Sequence, residues 1–209
     1  MKKRILATLT TAALGASLAA VPATPASAAP GTRSLATVLA ADGHGFDRNW
    51  NDFDVLDKAV ATVLAAKPDS PVKVLADGSV ALTAFLPTDR AFRRLVHDLT
   101  GKQPRTERAT FRRLAAAAGV DTIEAVLLYH VVPGATITYA QARKSDGAAL
   151  KTASGATVRV NVRKYGRVAL RDNDFDDPNA LIRKSARNIN KGNLQIGHGI
   201  NRVLRPLDL

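Results

Sequence analysis

The sequence contains no cysteine among its 209 residues, a single tryptophan and a single methionine, and only 5% of it is aromatic. Without cysteine there is no disulfide, no thiol nucleophile, no thiolate metal ligand, no cysteine-linked haem and no lipoprotein acylation. Acidic residues are scarce beside basic ones: 18 Asp and Glu face 30 Lys and Arg, a formal charge of +12. Histidine is sparse as well. His44, His97, His130 and His198 are dozens of residues apart, so there is no H-E-x-x-H zinc helix. The G-x-S-x-G nucleophile elbow and the G-x-x-x-x-G-K-[ST] phosphate loop are missing too. With the common enzyme signatures removed, the chain is not expected to be an enzyme, and no catalytic residue, cofactor or metal is assigned to it. A secreted enzyme of unknown type stays open only as the weakest alternative.

What is present has globular composition, 46% hydrophobic and 23% charged. Residues 1–28 read as a secretory signal peptide. Lys2, Lys3 and Arg4 form a basic start, Ile5 to Ala20 carry no charge, and Ala26-Ser27-Ala28 offers small residues for cleavage. No later run is apolar enough for a span of ~20 residues, so the mature chain is expected to have no membrane span. Residues 29–33 read as a linker and 34–209 as one domain, expected to be a monomer. Cleavage would remove three cations and leave +9. The remainder is uneven, net −3 over residues 29–89 and net +12 over 90–209.

Hydrophobic spacing divides the domain in two. Ser34 caps a helix bearing Leu35, Val38 and Leu39, and a helix over 54–66 follows a polar, aromatic loop from Phe46 to Phe53. Val72 to Leu75, Asp77-Gly78 and Val80 to Leu86 read as a β-hairpin. A helix then buries Phe92, Leu95, Val96 and Leu99 and turns Arg90, Arg93, Arg94 and His97 outward. Another runs from Thr106 to Ala118, stopped by Gly119, and Asp121 with Glu124 reads as a capping-box start for a third, ending near His130. Beyond Gly134 the period becomes two: Val158, Val160 and Val162 alternate with Arg159, Asn161 and Arg163, Tyr165-Gly166 turns, and Val168 to Arg171 returns. Ile200 to Leu204 reads as the last strand. Helices first and strands later indicate an α+β domain.

Three segments carry a family resemblance. Thr83-Ala84-Phe85-Leu86-Pro87-Thr88-Asp89-Arg90-Ala91-Phe92, Leu127-Leu128-Tyr129-His130-Val131-Val132-Pro133-Gly134, and His198-Gly199-Ile200-Asn201-Arg202-Val203-Leu204-Arg205-Pro206 resemble, in order and spacing, the signatures of the fasciclin (FAS1) domain. The resemblance covers about Ser34 to Leu209. It implies a twisted β-sandwich or wedge with helices packed on one side, in a secreted bacterial single-domain member. It also implies an adhesion and protein-interaction module outside the cell, associated with the cell wall, whose partner is an unknown protein or glycan of the cell surface or matrix. Phe85, Pro87, Thr88, Asp89, Phe92 and His198 are expected to be structural: Thr88 or Asp89 as helix cap, Phe85 and Phe92 anchored in one core. Asn201 stands where Asp is usual, and Gly197 and Gly199 flank His198 where β-branched residues are usual, which suggests a loosened or bulged strand.

Candidate contact residues are Tyr129 and His130, the latter read first as a buried, hydrogen-bonded histidine, and the exposed arginines Arg90, Arg93, Arg94, Arg159 and Arg163. The basic surface admits two readings: a GC-biased solvated face, or one that attracts polyanions such as wall teichoic polymers, acidic glycans or DNA. Few aromatics interleave with the charges. Asp172, Asp174, Asp176 and Asp177 form the densest acidic run in the sequence. They offer a weak calcium candidate that fails the EF-hand template at Asp177 and Arg183.

Overall fold

A computed structural model describes residues 29–43 and 45–206. The leader assigned to 1–28, His44 and residues 207–209 lie outside them. Helices α1 (Leu35–Leu39), α2 (Asp54–Ala66), α3 (Asp89–Thr100) and α4 (Glu107–Tyr129) account for the first half, interrupted by strand β1 (Leu82–Pro87). Then come β2 (Val131–Pro133), α5 (Tyr139–Ala142), β3 (Ala149–Lys151), β4 (Thr157–Arg163), β5 (Arg167–Arg171), β6 (Ala180–Leu181) and β7 (Gln195–Ile200).

Two sheets result. One has the order β2-β1-β7, the other β3-β4-β5-β6. In the first, β1 runs parallel to β7 and antiparallel to β2; the second is antiparallel throughout. This is the expected α+β wedge with helices on one side, but β1 is not half of a hairpin. Ser70 Oγ accepts from the Val72 amide, Pro71 presets the turn, and Pro71–Ala76 form a 3₁₀ helix instead. β1 is buried at all six positions, so it lacks alternation and takes its partners from distant sequence.

Alternation reappears in which core each β1 residue joins. Leu82, Ala84 and Leu86 enter a core with α1 to α4, where Phe92 lies; Phe85, on the opposite face, enters a second core with Tyr129, Val158, Val160, Leu170 and Ile200. Phe85 and Phe92 therefore anchor opposite sides of the central sheet and not one shared core. Each such side chain contributes about 1.5–3 kcal/mol by leaving water.

Within α4 the helix breaks at Gly119, as expected: at φ 70° and ψ 170° this glycine is non-helical, and two helical segments meet there. Glu124 does not cap the second segment. Its carboxylate accepts from Ser70 Oγ and Lys67 Nζ, which fastens α4 to the end of α2.

The final strand lies earlier than expected, at Gln195–Ile200, because its glycines conceal it. It is not bulged: β7 pairs with β1 residue for residue over six positions. A Cβ on Gly197 would sit 2.6 Å from Leu86 Cδ1, and one on Gly199 2.5 Å from Ala186 Cβ. Both glycines permit close approach. Ala186 has little freedom to move, so Gly199→Ala is expected to cost about 1–3 kcal/mol, measured by denaturant unfolding. An unchanged midpoint would mean that the Ala186 turn yields freely.

Candidate functional site

Fastening of the first motif differs from its sequence reading. Thr88 occupies the N-cap position of α3 but its side chain makes no capping bond. Asp89 caps a different helix: its Oδ1 accepts from the Val55 amide in the first turn of α2, 2.9 Å away. The α3 amides of Asp89 and Arg90 donate to the carbonyls of Asp52 and Trp50. The Phe46–Phe53 connection is thus docked on the start of α3. Pro87 closes β1 opposite Ile200.

Tyr129 and His130 are not surface residues, which corrects their assignment as contacts. Tyr129 is 0% exposed, and its hydroxyl donates to the Thr157 carbonyl at 3.1 Å. Burial, then the charge of Asp172, pushes that hydroxyl up to about 12. The His130 ring lies within hydrogen-bond distance of the Val126 carbonyl through Nδ1 (2.7 Å), and Nε2 accepts from the Leu204 amide (2.9 Å). The accepting Nε2 places the proton on Nδ1. Burial holds this imidazole down at about 4, so it is neutral at pH 7. His198 is equally enclosed. Its Nδ1 accepts from the Asn188 amide and Nε2 faces the Ile137 carbonyl, tying two loops to β7. Desolvation lowers its pKa too.

Of the α3 arginines only Arg90 is exposed. Arg93 lies half-buried with its guanidinium 4.5 Å from the centre of the Trp50 ring and its Nε donating to the Pro104 carbonyl. Arg94, also half-buried, donates to the Asn201 carbonyl. Both arginines brace the fold, and neither is a free contact residue.

Asp172, Asp174 and Asp177 are held by arginines, which leaves the calcium reading without support. Arg205 pairs with Asp174 at 2.8 Å and Asp98 at 2.9 Å, and its amide donates to Asp172. Arg202 grips both oxygens of Asp177. Asn201 uses its neutral amide oxygen to accept from the Leu181 amide, where a charge is not needed.

The arginines of β4 remain outward. Arg159 lies directly across from Arg171, and Arg163 from Arg167, on the exposed face of the second sheet. Like charges directly opposed on a sheet are destabilising, by up to about 1 kcal/mol per pair. At the hairpin tip Tyr165 is 94% exposed with φ 63°, a left-handed conformation costing a non-glycine residue roughly 1–2 kcal/mol. At the other end Phe175, 70% exposed, lies under the Arg171 guanidinium at 5.3 Å. Sequence spacing revealed Arg159 and Arg163; Arg167, Arg171 and the two flanking aromatics needed the strand register and the loop path. An apolar cavity of about 390 Å³, lined by residues including Phe92, Leu95, Leu114, Ile123 and Val203, opens beside Leu99 on the helical side.

No described helix is long and apolar enough to cross a membrane. No curated protein matches the chain. Among solved structures, a FAS1 domain pair from the insect cell adhesion molecule fasciclin I is similar at 16% identity, with a TM-score of 0.49. The alignment covers 76% of this chain and 48% of that one, so this chain spans about half the length of that structure. The sequence model of the fasciclin domain matches residues 58–206, a span that contains β1 with its Pro87-Thr88-Asp89 turn, the buried Tyr129-His130 pair and the His198 strand. The chain belongs to the fasciclin domain family.

Proposed function

We propose that this protein is a secreted, non-catalytic adhesion and protein-interaction module. It is exported by the leader at 1–28, followed by the linker at 29–33 and the domain at 34–209, and acts as a monomer outside the cell near the wall. Membership of the fasciclin family supports the adhesion class. The observation that carries the contact surface is the outer face of β4 and β5, where Arg159, Arg163, Arg167 and Arg171 stand in opposed pairs beside the exposed Tyr165. An acidic partner would relieve the repulsion between them, whereas a purely solvated surface gains nothing from that arrangement.

The partner is an acidic protein or glycan of the cell surface or matrix. The same face favours a second reading, an electrostatic binder of extracellular polyanions such as wall teichoic polymers or DNA. A salt series separates the two: polyanion binding collapses by a few hundred millimolar, while a shape-specific interface persists. Changing the four arginines to glutamine should weaken binding to isolated cell envelopes roughly tenfold or more, about 1.4 kcal/mol, with an unchanged or higher melting temperature. Binding equal to the parent would rule this face out.

A further inference from the structure

Three helices begin at one place, and each begins with an acid. α2 starts at Asp54, α3 at Asp89 and α4 at Glu107, and the connection before α2 adds Asp47 and Asp52. One oxygen from each of Asp52, Asp89 and Glu107 lies within 4.8 Å of the others, and the same holds for Asp47, Asp54 and Glu107. Glu107 belongs to both groups. Its side chain is fully buried, yet neither carboxylate oxygen has a hydrogen-bond partner. One oxygen of Asp89, also fully buried, and one of Asp52 are in the same condition. Among the described residues no lysine or arginine forms an ion pair with Asp52, Asp89 or Glu107.

The helix ends do not balance this charge. Each N-terminus carries about half a positive charge, so three of them offset only about half of the charge on Asp52, Asp89 and Glu107. A buried carboxylate oxygen without a donor is costly, by roughly 1–3 kcal/mol or more. Something absent from the protein's own atoms must meet these oxygens: a proton or a metal ion.

Geometry favours the metal. Donors that are all carboxylate select a hard cation. The oxygens of each trio lie within 4.8 Å of one another, close enough for one cation to bridge them. Calcium takes several protein carboxylates at once, whereas magnesium keeps most of its waters and is held by one or two, so three carboxylates suit calcium. We propose that Asp52, Asp89 and Glu107, with Asp47 and Asp54 beside them, form a calcium site that clamps the 46–53 connection onto the starts of α3 and α4. Three of these ligands precede residue 58, where the fasciclin match begins, so the site depends on this chain's own connecting loop. It is independent of the arginine face.

The test uses the purified protein stripped with a chelator, then given calcium or magnesium. At about a hundredfold excess over its dissociation constant, calcium is expected to raise the melting temperature by about 5–10 °C. Glu107→Gln should abolish that rise while melting in chelator at or above the parent, because an uncompensated buried charge is gone. Asp52→Asn, at a less enclosed ligand, gives the same readout if the first variant does not fold. Trp50, the only tryptophan, lies in the same loop, so terbium bound there should emit on tryptophan excitation, and calcium should quench that emission by displacement. No calcium shift and no terbium emission would overturn the site and leave shared protons as the occupant. An equal shift with magnesium would overturn its assignment to calcium.

Discussion

Replacing Arg205 with leucine is expected to destabilise the domain by about 3–5 kcal/mol, the usual cost of removing one partner from a buried ion pair. The guanidinium is largely enclosed, and Asp174, its partner at 2.8 Å, is almost completely so. Removing the cation leaves Asp174 charged in a site that excludes water, and releases Asp98 on α3. For a domain of this size the loss corresponds to a fall in melting temperature of roughly 10 °C or more. Asp174→Asn placed in the Arg205→Leu background should recover part of it, because the stranded charge is then absent. A single variant melting within a degree or two of the parent would show that Arg205 does not clamp the C-terminal segment. The reverse substitution carries a related expectation: Asp174→Asn alone should cost less than Arg205→Leu, since Arg205 keeps Asp98 and lies near Asp177.

Acidification should unfold the protein through His130. In the unfolded chain an imidazole binds its proton near pH 6.5; in the folded chain burial delays this to about pH 4. Between those values the unfolded state holds more protons, so stability falls as pH falls through that window and the loss is complete below pH 4. The gap corresponds to about 3 kcal/mol. His198, depressed for the same reason, adds in the same direction. Denaturant unfolding at a series of pH values measures the slope. At neutral pH, His130→Ala should cost about 3–5 kcal/mol, combining a cavity with a Leu204 amide left without its acceptor. Arg93→Ala should cost only about 1 kcal/mol, since it removes a half-exposed stack on Trp50 and one hydrogen bond. Equal small losses for the two variants, or a pH slope between 6.5 and 4 that His130→Ala leaves unchanged, would contradict the buried, neutral histidine.

Much of the fold was legible locally. The spacing of Val55, Leu56, Ala59, Val60 and Val63 specifies α2, and the alternation of Val158, Val160 and Val162 specifies β4, because each pattern repeats with the period of one backbone geometry. What went unread carries no such pattern. β1 was legible as a strand within Val80 to Leu86, but it is buried on both faces, so nothing in Leu82–Pro87 shows that β2 and β7 are its partners. β7 contains two glycines whose reason for being there is the approach of Leu86 and Ala186 from other parts of the chain. β2 and β6 are too short to show any period.

The same division runs through the sites. The sequence by itself determined that no thiol or disulfide chemistry operates here, that residues 29–89 are net acidic and residues 90–209 net basic, and that three ordered motifs share the fasciclin pattern. Only the tertiary structure decided where those charges act. Asp172 to Asp177 are adjacent in sequence and were the obvious acidic cluster, yet Arg202 and Arg205 neutralise the members they reach. Asp47, Asp52, Asp54, Asp89 and Glu107 are spread over sixty residues and become neighbours because three helix starts converge. Arg159 meets Arg171 only through the strand register. Charge acts through distance and dielectric, and chain separation specifies neither; packing sets both.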